Sequence, residues 1–134
     1  MTGAGIVTKH LRAIQAITTL VPPERIKSGR LPAAVPLPAL LVRNIGSVDR
    51  HTLKGGGMIR TDDRVRVTVR AASFRDQERI MALVADARAD FIDELAGAER
   101  ISIHTAGRGP DLDGPGNSFE QAQDFRVSFD RPTS

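Results

Sequence analysis

The sequence predicts an α+β domain in which an antiparallel sheet of about four strands carries two helices packed on one face. Residues 64–71, RVRVTVRA, alternate apolar and polar side chains, the period of a strand with one buried face. Residues 73–95 repeat apolar side chains at helical spacing. Loop-like stretches at 51–58 and 107–118 separate strand-like runs, so neighbouring strands are predicted to pair antiparallel.

The first half of the chain supplies one helix and two strands. An apolar stripe predicts a helix over 8–21, and the two prolines that follow end it. A proline-rich connection holds a short extended piece near Ile26 and leads to a strand over 39–47, whose proline-led entry favours an edge position. The run HTLKGGGM at 51–58 predicts a hairpin loop, because three consecutive glycines are unfavourable inside an element. The long strand then covers 59–73.

The second half supplies one helix and two further strands. Ser73 begins a spacing like that of a capping box, so the second helix is predicted to start there and to end near Leu95 and Gly97. Strands over 99–105 and 120–130 flank a long polar loop. The apolar positions predict a core that contains Val67, Ile80, Leu83, Phe91, Phe125 and Phe129.

Length and composition exclude several classes of protein. A chain of 134 residues is expected to form one domain over residues 1–134. The absence of cysteine excludes disulfides and thiolate metal sites. The start of the chain does not follow the pattern of a signal peptide, and prolines interrupt its longest apolar run, LPAAVPLPALLV. We therefore predict no membrane partner.

Charge is distributed unevenly along the chain. Residues 1–75 hold 13 basic and 4 acidic side chains, a net charge of +9, whereas residues 76–134 hold 6 and 12, a net charge of −6. The split fits a mixed, self-neutralised surface if the two halves intermingle in space. It also fits opposite faces that attract copies of the same chain, or a basic face for nucleic acid.

Histidine and serine provide no catalytic or metal-binding pattern. His10, His51 and His104 fall on a helix, a loop and a strand, without the spacing of metal ligands. Ser102 and His104 lie two residues apart on one strand face, but no nucleophile-elbow pattern surrounds a serine. We therefore predict no catalytic residue and no enzyme activity.

Two loop motifs resemble ligand sites without completing them. The run Asp111-Leu112-Asp113-Gly114 is similar to the start of a calcium loop, but no glutamate stands at the twelfth position. The triplet Gly55-Gly56-Gly57 is not followed by Lys-Ser/Thr, so it is not a phosphate-binding loop. We predict no metal and no cofactor.

The remaining candidates are contact residues on the outer sheet face and in the two loops. An arginine ladder on the long strand could bind phosphates, but the chain has no tryptophan and no tyrosine on which bases could stack. Acidic residues of the last strand are predicted to lie across the sheet from these arginines and to neutralise them. The predicted interaction residues are Arg64, Arg66, Arg70, Lys54, Gly55, Gly56, Gly57, Asp111 and Asp113.

Four features in order resemble one protein family. An amphipathic helix precedes a proline-rich stretch that ends in a strand, LPAAVPLPALLVRN. A glycine loop leads to the strand RVRVTVRAAS, and a helix of the type DQERIMALVADARADFIDEL follows. A short strand, a polar loop and the strand EQAQDFRVSFDR close the chain. This order, over nearly the full length, resembles the tail-completion, or tail-terminator, proteins of long-tailed bacteriophages and related prophages.

The resemblance implies a structural virion protein without catalytic residues. Proteins of this family assemble as a ring, usually a hexamer, that caps the tail tube and joins it to the head connector. The expected partners are further copies of the chain, the tail tube protein and the head–tail connector protein, with genomic DNA passing through the channel. The expected location is the tail or neck of the virion, assembled in the cytoplasm of the bacterial host. The alternative is a small basic accessory domain that binds nucleic acid.

Overall fold

The computed structural model describes residues 2–50 and 57–132. Within these ranges the chain forms three α-helices: α1 (Gly3–Arg12), α2 (Gln15–Thr18) and α3 (Phe74–Ala85). The same ranges contain seven strands: β1 (Ile26–Ser28), β2 (Ala39–Arg50), β3 (Met58–Ala71), β4 (Ala89–Leu95), β5 (Ala98–Arg108), β6 (Leu112–Asp113) and β7 (Phe119–Pro132). Short 3-10 turns occur at Pro23–Arg25 and Pro115–Asn117.

The strands form a single mixed, curled sheet in the order β1-β2-β3-β7-β5-β4, with β6 paired to β7. β1 pairs with β2 in parallel, and every other pairing is antiparallel. The first half of the chain therefore supplies one side of the sheet, β1 to β3. The second half supplies the other side, β7, β5 and β4.

The predicted fold of about four antiparallel strands and two helices is wrong. The sheet has seven strands and one parallel pair, and three helices accompany it in the described residues. The predicted strands over 59–73, 99–105 and 120–130 agree within a few residues with β3, β5 and β7. It failed where a helix-like apolar repeat belongs to a strand, and where short strands pair only through tertiary contact.

The second helix is much shorter than its apolar repeat predicts. α3 begins after Ser73, whose side chain accepts a hydrogen bond from the backbone N–H of Asp76 over 3.1 Å, and it ends at Ala85. The chain then becomes β4 and turns sharply into β5. Ala96 and Gly97 have φ of 54° and 82°, the positive values that a two-residue hairpin turn requires. Gly97 therefore marks a hairpin turn and not the end of a helix.

The first helix starts earlier than predicted and is interrupted. The N-cap is Thr2, well before the predicted start at residue 8, and its hydroxyl accepts a hydrogen bond from the backbone N–H of Gly5 over 3.1 Å. The helix ends at Arg12, and Ile14 has extended backbone angles before the short α2. The apolar stripe of the predicted helix is nevertheless largely buried: Leu11, Ile17 and Val21 are in the core, and Ile14 is partly buried against it.

A buried aspartate fixes the start of α1 on the sheet. Asp63 of β3 accepts a hydrogen bond from the backbone N–H of Gly3 over 2.7 Å. Asn44 donates to the same carboxylate over 2.9 Å, and Ser47 donates to its other oxygen. A Cβ atom at position 3 would lie 2.7 Å from the Cβ of Asp63, so only glycine allows this approach. The carboxylate also lies at the positive end of the helix dipole.

The core lies between the helices and one face of the sheet. Phe125 and Phe129 of β7 are its largest side chains, and each is 1% exposed. They pack with apolar residues of α1, α3 and the neighbouring strands. Leu83 is partly buried against this cluster, whereas Phe91 lies on β4 and is 66% exposed. The predicted core is therefore correct on β3, β7 and α3, and wrong for Phe91.

Candidate functional site

The sheet face that points away from the helices carries a group of nine charged side chains that come from four strands and pair with one another. We call them the arginine face. Alternation along β3 and β7 directs them to this side, because the intervening residues of both strands fill the core. The arginine face consists of Arg50, Arg60, Arg64, Arg66, Arg100, Arg126, Asp62, Asp124 and Asp130.

Each aspartate of the arginine face lies between two arginines. Arg66 donates from Nε to Oδ1 of Asp124 over 2.8 Å, and Arg64 donates from Nη2 to Oδ2 over 3.0 Å. Arg64 also donates to the backbone carbonyl of Ala106 over 2.8 Å, which links β3 to β5. The bridge fixes both guanidinium groups above one carboxylate.

The other two aspartates repeat this arrangement. Asp62 accepts ion-pair contacts from Arg50 at 2.7 Å and Arg126 at 3.1 Å, and a hydrogen bond from Ser128. Oδ1 of Asp130 lies 3.2 Å from Nη1 of Arg60, and its Oδ2 lies 3.4 Å from Nη1 of Arg100. The three triplets extend across β2, β3, β7 and β5.

The triplets leave the face positively charged. Six guanidinium groups meet three carboxylates, a net charge of +3. The aspartate side chains are only 9–12% exposed, while five of the six arginines are 49–69% exposed. A partner therefore meets arginine head groups in fixed positions, with the carboxylates beneath them.

The arginines lower the pKa of two of the aspartates. Burial raises the pKa of Asp124, but hydrogen bonds from Arg66 and Arg64 outweigh burial, and the net pKa is below the ordinary value. Burial likewise opposes ionisation of Asp62, yet hydrogen bonds from Ser128 and Arg126 hold its pKa below the ordinary value. The hydrogen bond to Asp124 also raises the pKa of Arg66.

We expect the protein to lose stability in acid through these two aspartates. Because the folded-state pKa of Asp62 and Asp124 is lower than in the unfolded chain, about 3.9, their ionisation adds stability above that pH. The contribution disappears as the pH falls through the folded-state pKa. Urea midpoints should therefore change little between pH 7 and 5 and decrease below about pH 4. The variant Asp62→Asn with Asp124→Asn should show a smaller decrease, and an equal decrease in both proteins would contradict this assignment.

Two clefts open on the arginine face, and they have Arg64 in common. The larger, of about 470 Å³, lies between β3 and the loop after β5, and its lining includes Arg66, Arg108, Pro110 and Leu112. The smaller, of about 320 Å³, lies beside the second half of β2. Besides Arg64, its lining consists of Gly46, Ser47, Val48, Arg50, Asp62, Asp63, Ala106 and Arg126. Both combine charged and apolar groups, as a surface for a protein partner does.

Of the predicted arginine ladder, Arg64 and Arg66 lie on this face, but Arg70 is enclosed. Arg70 is 7% exposed, donates from Nε to Glu120 over 2.8 Å and donates to the carbonyl of Pro32 over 2.9 Å. The segment before β2 therefore covers this end of the sheet. The hydrogen bond from Arg70 to Pro32 holds that segment against the sheet, so Arg70 is not available to a partner.

The predicted loop residues divide into three groups. Lys54, Gly55 and Gly56 lie outside the described residues. Gly57 is exposed, has a φ of 74° and directly precedes β3. Asp111 and Asp113 are separate from the arginine triplets.

Asp111 and Asp113 belong to an ordered loop. Gln77, which is fully buried in α3, donates to Oδ1 of Asp111 over 2.8 Å. Asp113 is the exposed second residue of β6 and pairs with Phe119. Backbone and glutamine hydrogen bonds also hold Gly107 and Gly109 to β7. The loop is thus part of the sheet and forms a wall of the larger cleft.

Sequence reasoning missed part of the arginine face. It placed Asp124 and Asp130 opposite the arginines but did not include Arg50, Asp62 or Arg100. A bulge at Ile45 shifts the alternation of β2 and brings Arg50 to this side. The alternation of β3, continued backwards from Arg64, was the signal that could have found Asp62.

The histidines of the described residues do not form a metal site. Nε2 of His10 lies 2.9 Å from the carbonyl of Ala87, and Nδ1 of His104 lies 4.0 Å from Asp90. The described part of the chain contains no group of three or more metal-ligating side chains. In the same part, none of the helices is long and apolar enough to cross a membrane.

The family described as Tail completion protein gp17 matches residues 6–130. The chain belongs to this family. The resemblance seen in the sequence is confirmed, and the protein is a structural component of a phage tail and of the virion. No curated protein sequence matches it significantly.

A solved structure shares the fold of this tail completion protein. It is a chain of the "Virion of native gene transfer agent (GTA) particle", with a TM-score of 0.64 and 17% sequence identity. The alignment covers 96% of this chain and 94% of that chain. The similarity extends over nearly the whole of both chains, so the fold seen here also occurs in that virion particle.

Proposed function

We propose that this tail completion protein forms a ring, a hexamer, that caps the tail tube and joins the tail to the head connector. It acts by assembly and not by catalysis. Genomic DNA passes through the channel of the ring, and the ring is assembled in the cytoplasm of the bacterial host. The whole of residues 1–134 forms one functional unit in this proposal.

The spatial separation of charge is the observation that carries the ring proposal. The chain half of net charge +9 supplies β1, β2 and β3, while the half of net charge −6 supplies β7, β5 and β4. The sheet order turns a split in the sequence into a charge gradient across the sheet. A ring needs head-to-tail contacts between two different surfaces of each subunit, and opposite charges on opposite sides favour such contacts.

The arginine face supports contact with a second virion component, and we assign that component as the tail tube protein. Its guanidinium groups are held in place, so little side-chain entropy is lost when a partner carboxylate binds. Its clefts contain apolar groups that a protein side chain fills and that a phosphate backbone does not need. No tryptophan or tyrosine occurs, and the exposed Phe74 and Phe91 lie on α3 and β4 and are not part of the arginine face, so stacking of bases on this face has little support.

A neutralised triplet tests this contact. The variant Arg64→Gln, Arg66→Gln and Asp124→Asn keeps polar side chains at all three positions and removes the fixed charges. We expect it to fold, to form rings, and to join tails to heads at least tenfold less efficiently in an assembly assay. The matched control, Arg75→Gln with Arg79→Gln on the exposed surface of α3, should join like wild type.

The same experiment separates protein contact from nucleic-acid binding. DNA titrations are made with wild type and with the neutralised triplet over a series of salt concentrations. Weak binding that is equal in both proteins supports the tail tube contact. Tight, salt-sensitive binding by the wild-type monomer that is lost in the variant would replace the proposal by the nucleic-acid alternative.

A further inference from the structure

The sheet has two free edges within the described residues. β4 forms one edge over its full length, from Ala89 to Leu95. At the other edge β1 covers only Leu40–Val42, so the stretch of β2 from Arg43 to Val48 has no outer strand among the described residues. A strand with an unpaired row of N–H and C=O groups accepts a further strand. We propose that β4 of one subunit adds to this stretch of β2 in a second copy of the chain.

The charges of the two edges are complementary. Residues 86–95, which include β4, carry four acidic and one basic side chain, a net charge of −3. Residues 24–50, which contain β1 and β2, carry five basic and two acidic side chains, a net charge of +3. The acidic side chains Asp90, Asp93 and Glu94 are exposed. The acidic edge therefore attracts the basic edge of another subunit.

The same charges disfavour the wrong pairing. Two β4 strands placed edge to edge would bring six carboxylates together, and such repulsion is a common protection of edge strands against self-association. This repulsion disfavours a symmetric dimer through β4 but does not act against a head-to-tail contact. Repeated head-to-tail contacts close into a ring.

Exposed apolar side chains lie on both edges. Phe91 on β4 is 66% exposed, and Val48 and Ile45 on β2 are 61% and 42% exposed. These are three of the five large apolar side chains that are exposed in the described residues. Strand addition would bury all three and add apolar area to the backbone hydrogen bonds.

Strand direction also fits. Successive antiparallel pairings from β2 through β3, β7 and β5 give β4 the same direction as β2. Rotation about an axis along the strands preserves this direction, so β4 of one subunit would pair in parallel with β2 of the next. β1 already pairs in parallel with β2, and the incoming strand would continue along the same edge.

Charge reversal tests the edge pairing, which rests on the proposed ring. The acidic-edge variant is Asp93→Lys with Glu94→Lys, and the basic-edge variant is Lys27→Glu with Arg43→Glu. Each alone should lose at least tenfold in ring assembly by native mass spectrometry. Mixed in equal amounts, they should form oligomers that contain both proteins in equal number, because each intact edge then meets its complement. The control, Asp76→Lys with Glu78→Lys on α3, should assemble like wild type.

Cysteine cross-linking gives a second readout that does not depend on charge. The chain has no cysteine, so the pairs Phe91→Cys with Val48→Cys and Phe91→Cys with Ile45→Cys introduce the only thiols. On oxidation at least one pair should give a ladder of multimers, and Phe91→Cys alone should give none.

The outcomes separate the edge pairing from the ring itself. If both charge variants form rings as well as wild type does, and no cross-linked ladder appears, the edge pairing is overturned and the proposed ring is not. Wild-type protein that stays monomeric would overturn both. Dimers cross-linked through Phe91→Cys alone would replace the head-to-tail contact by a symmetric one.

Discussion

Phe129→Ala is expected to lower the free energy of unfolding by about 3–5 kcal/mol, and Phe125→Ala by a similar amount. Both rings are fully buried on β7, the central strand that joins the two halves of the sheet. Truncation removes apolar contacts and leaves a cavity between the helices and the sheet. Urea denaturation, with the slope m unchanged, measures the effect.

Phe91→Ala is the matched control for these two variants. The same side chain is removed at an exposed position of β4, so the free energy of unfolding of the monomer should change by less than about 0.5 kcal/mol. A loss of less than about 1 kcal/mol in both Phe125→Ala and Phe129→Ala would contradict the register of β7. A large loss in Phe91→Ala would contradict the placement of β4.

Asp63→Ala is expected to cost about 2–4 kcal/mol, the second largest effect, because the loss leaves several buried donors without an acceptor. The backbone N–H of Gly3 and the side chains of Asn44 and Ser47 all donate to this carboxylate. The first turn of α1 contains no acidic residue of its own, so the variant also removes a favourable charge from the helix N-terminus.

Chemical denaturation and helical circular dichroism measure this second effect. Hydrogen exchange should show the largest loss of protection in α1 and little change in α3. Asp93→Ala on the exposed edge of β4 is the control and should leave the stability of the monomer unchanged within about 0.5 kcal/mol. Equal stability of Asp63→Ala and wild type would show that α1 is not anchored through this carboxylate.

The central strands were predictable from sequence because their alternation is long and unambiguous. Val65, Val67 and Val69 mark one face of β3, and Phe125 and Phe129 do the same for β7. The arginines follow from the same alternation, as does their pairing with Asp124. Local patterns sufficed here because each strand buries one face completely.

The fold prediction failed where local patterns compete with tertiary contacts. Phe91 and Leu95 continue the helical spacing of α3, but the Ala96-Gly97 turn favours a hairpin. The backbone of this segment then pairs with β5 as the strand β4. Thr2 is a local N-cap signal for the start of α1 that the prediction did not use. The contact that anchors this start to the sheet, with Asp63 sixty residues away, leaves no mark in the local sequence.

The charge split shows the same limit for function. The sequence contains both net charges, but only the strand order shows that the two halves lie on opposite sides of one sheet. Arg70 is the converse case, since its position in the ladder suggests an accessible contact and the segment around Pro32 encloses it. Surface residues are assigned correctly only when the covering segments are known.

Native mass spectrometry of the purified wild-type protein at low ionic strength is the sharpest test of ring formation. We expect one closed species of six subunits, and raising the salt concentration should weaken it because opposite charges contribute to the subunit contacts. A monomer at every protein concentration, or a dimer that salt does not affect, would show that the proposed ring does not form.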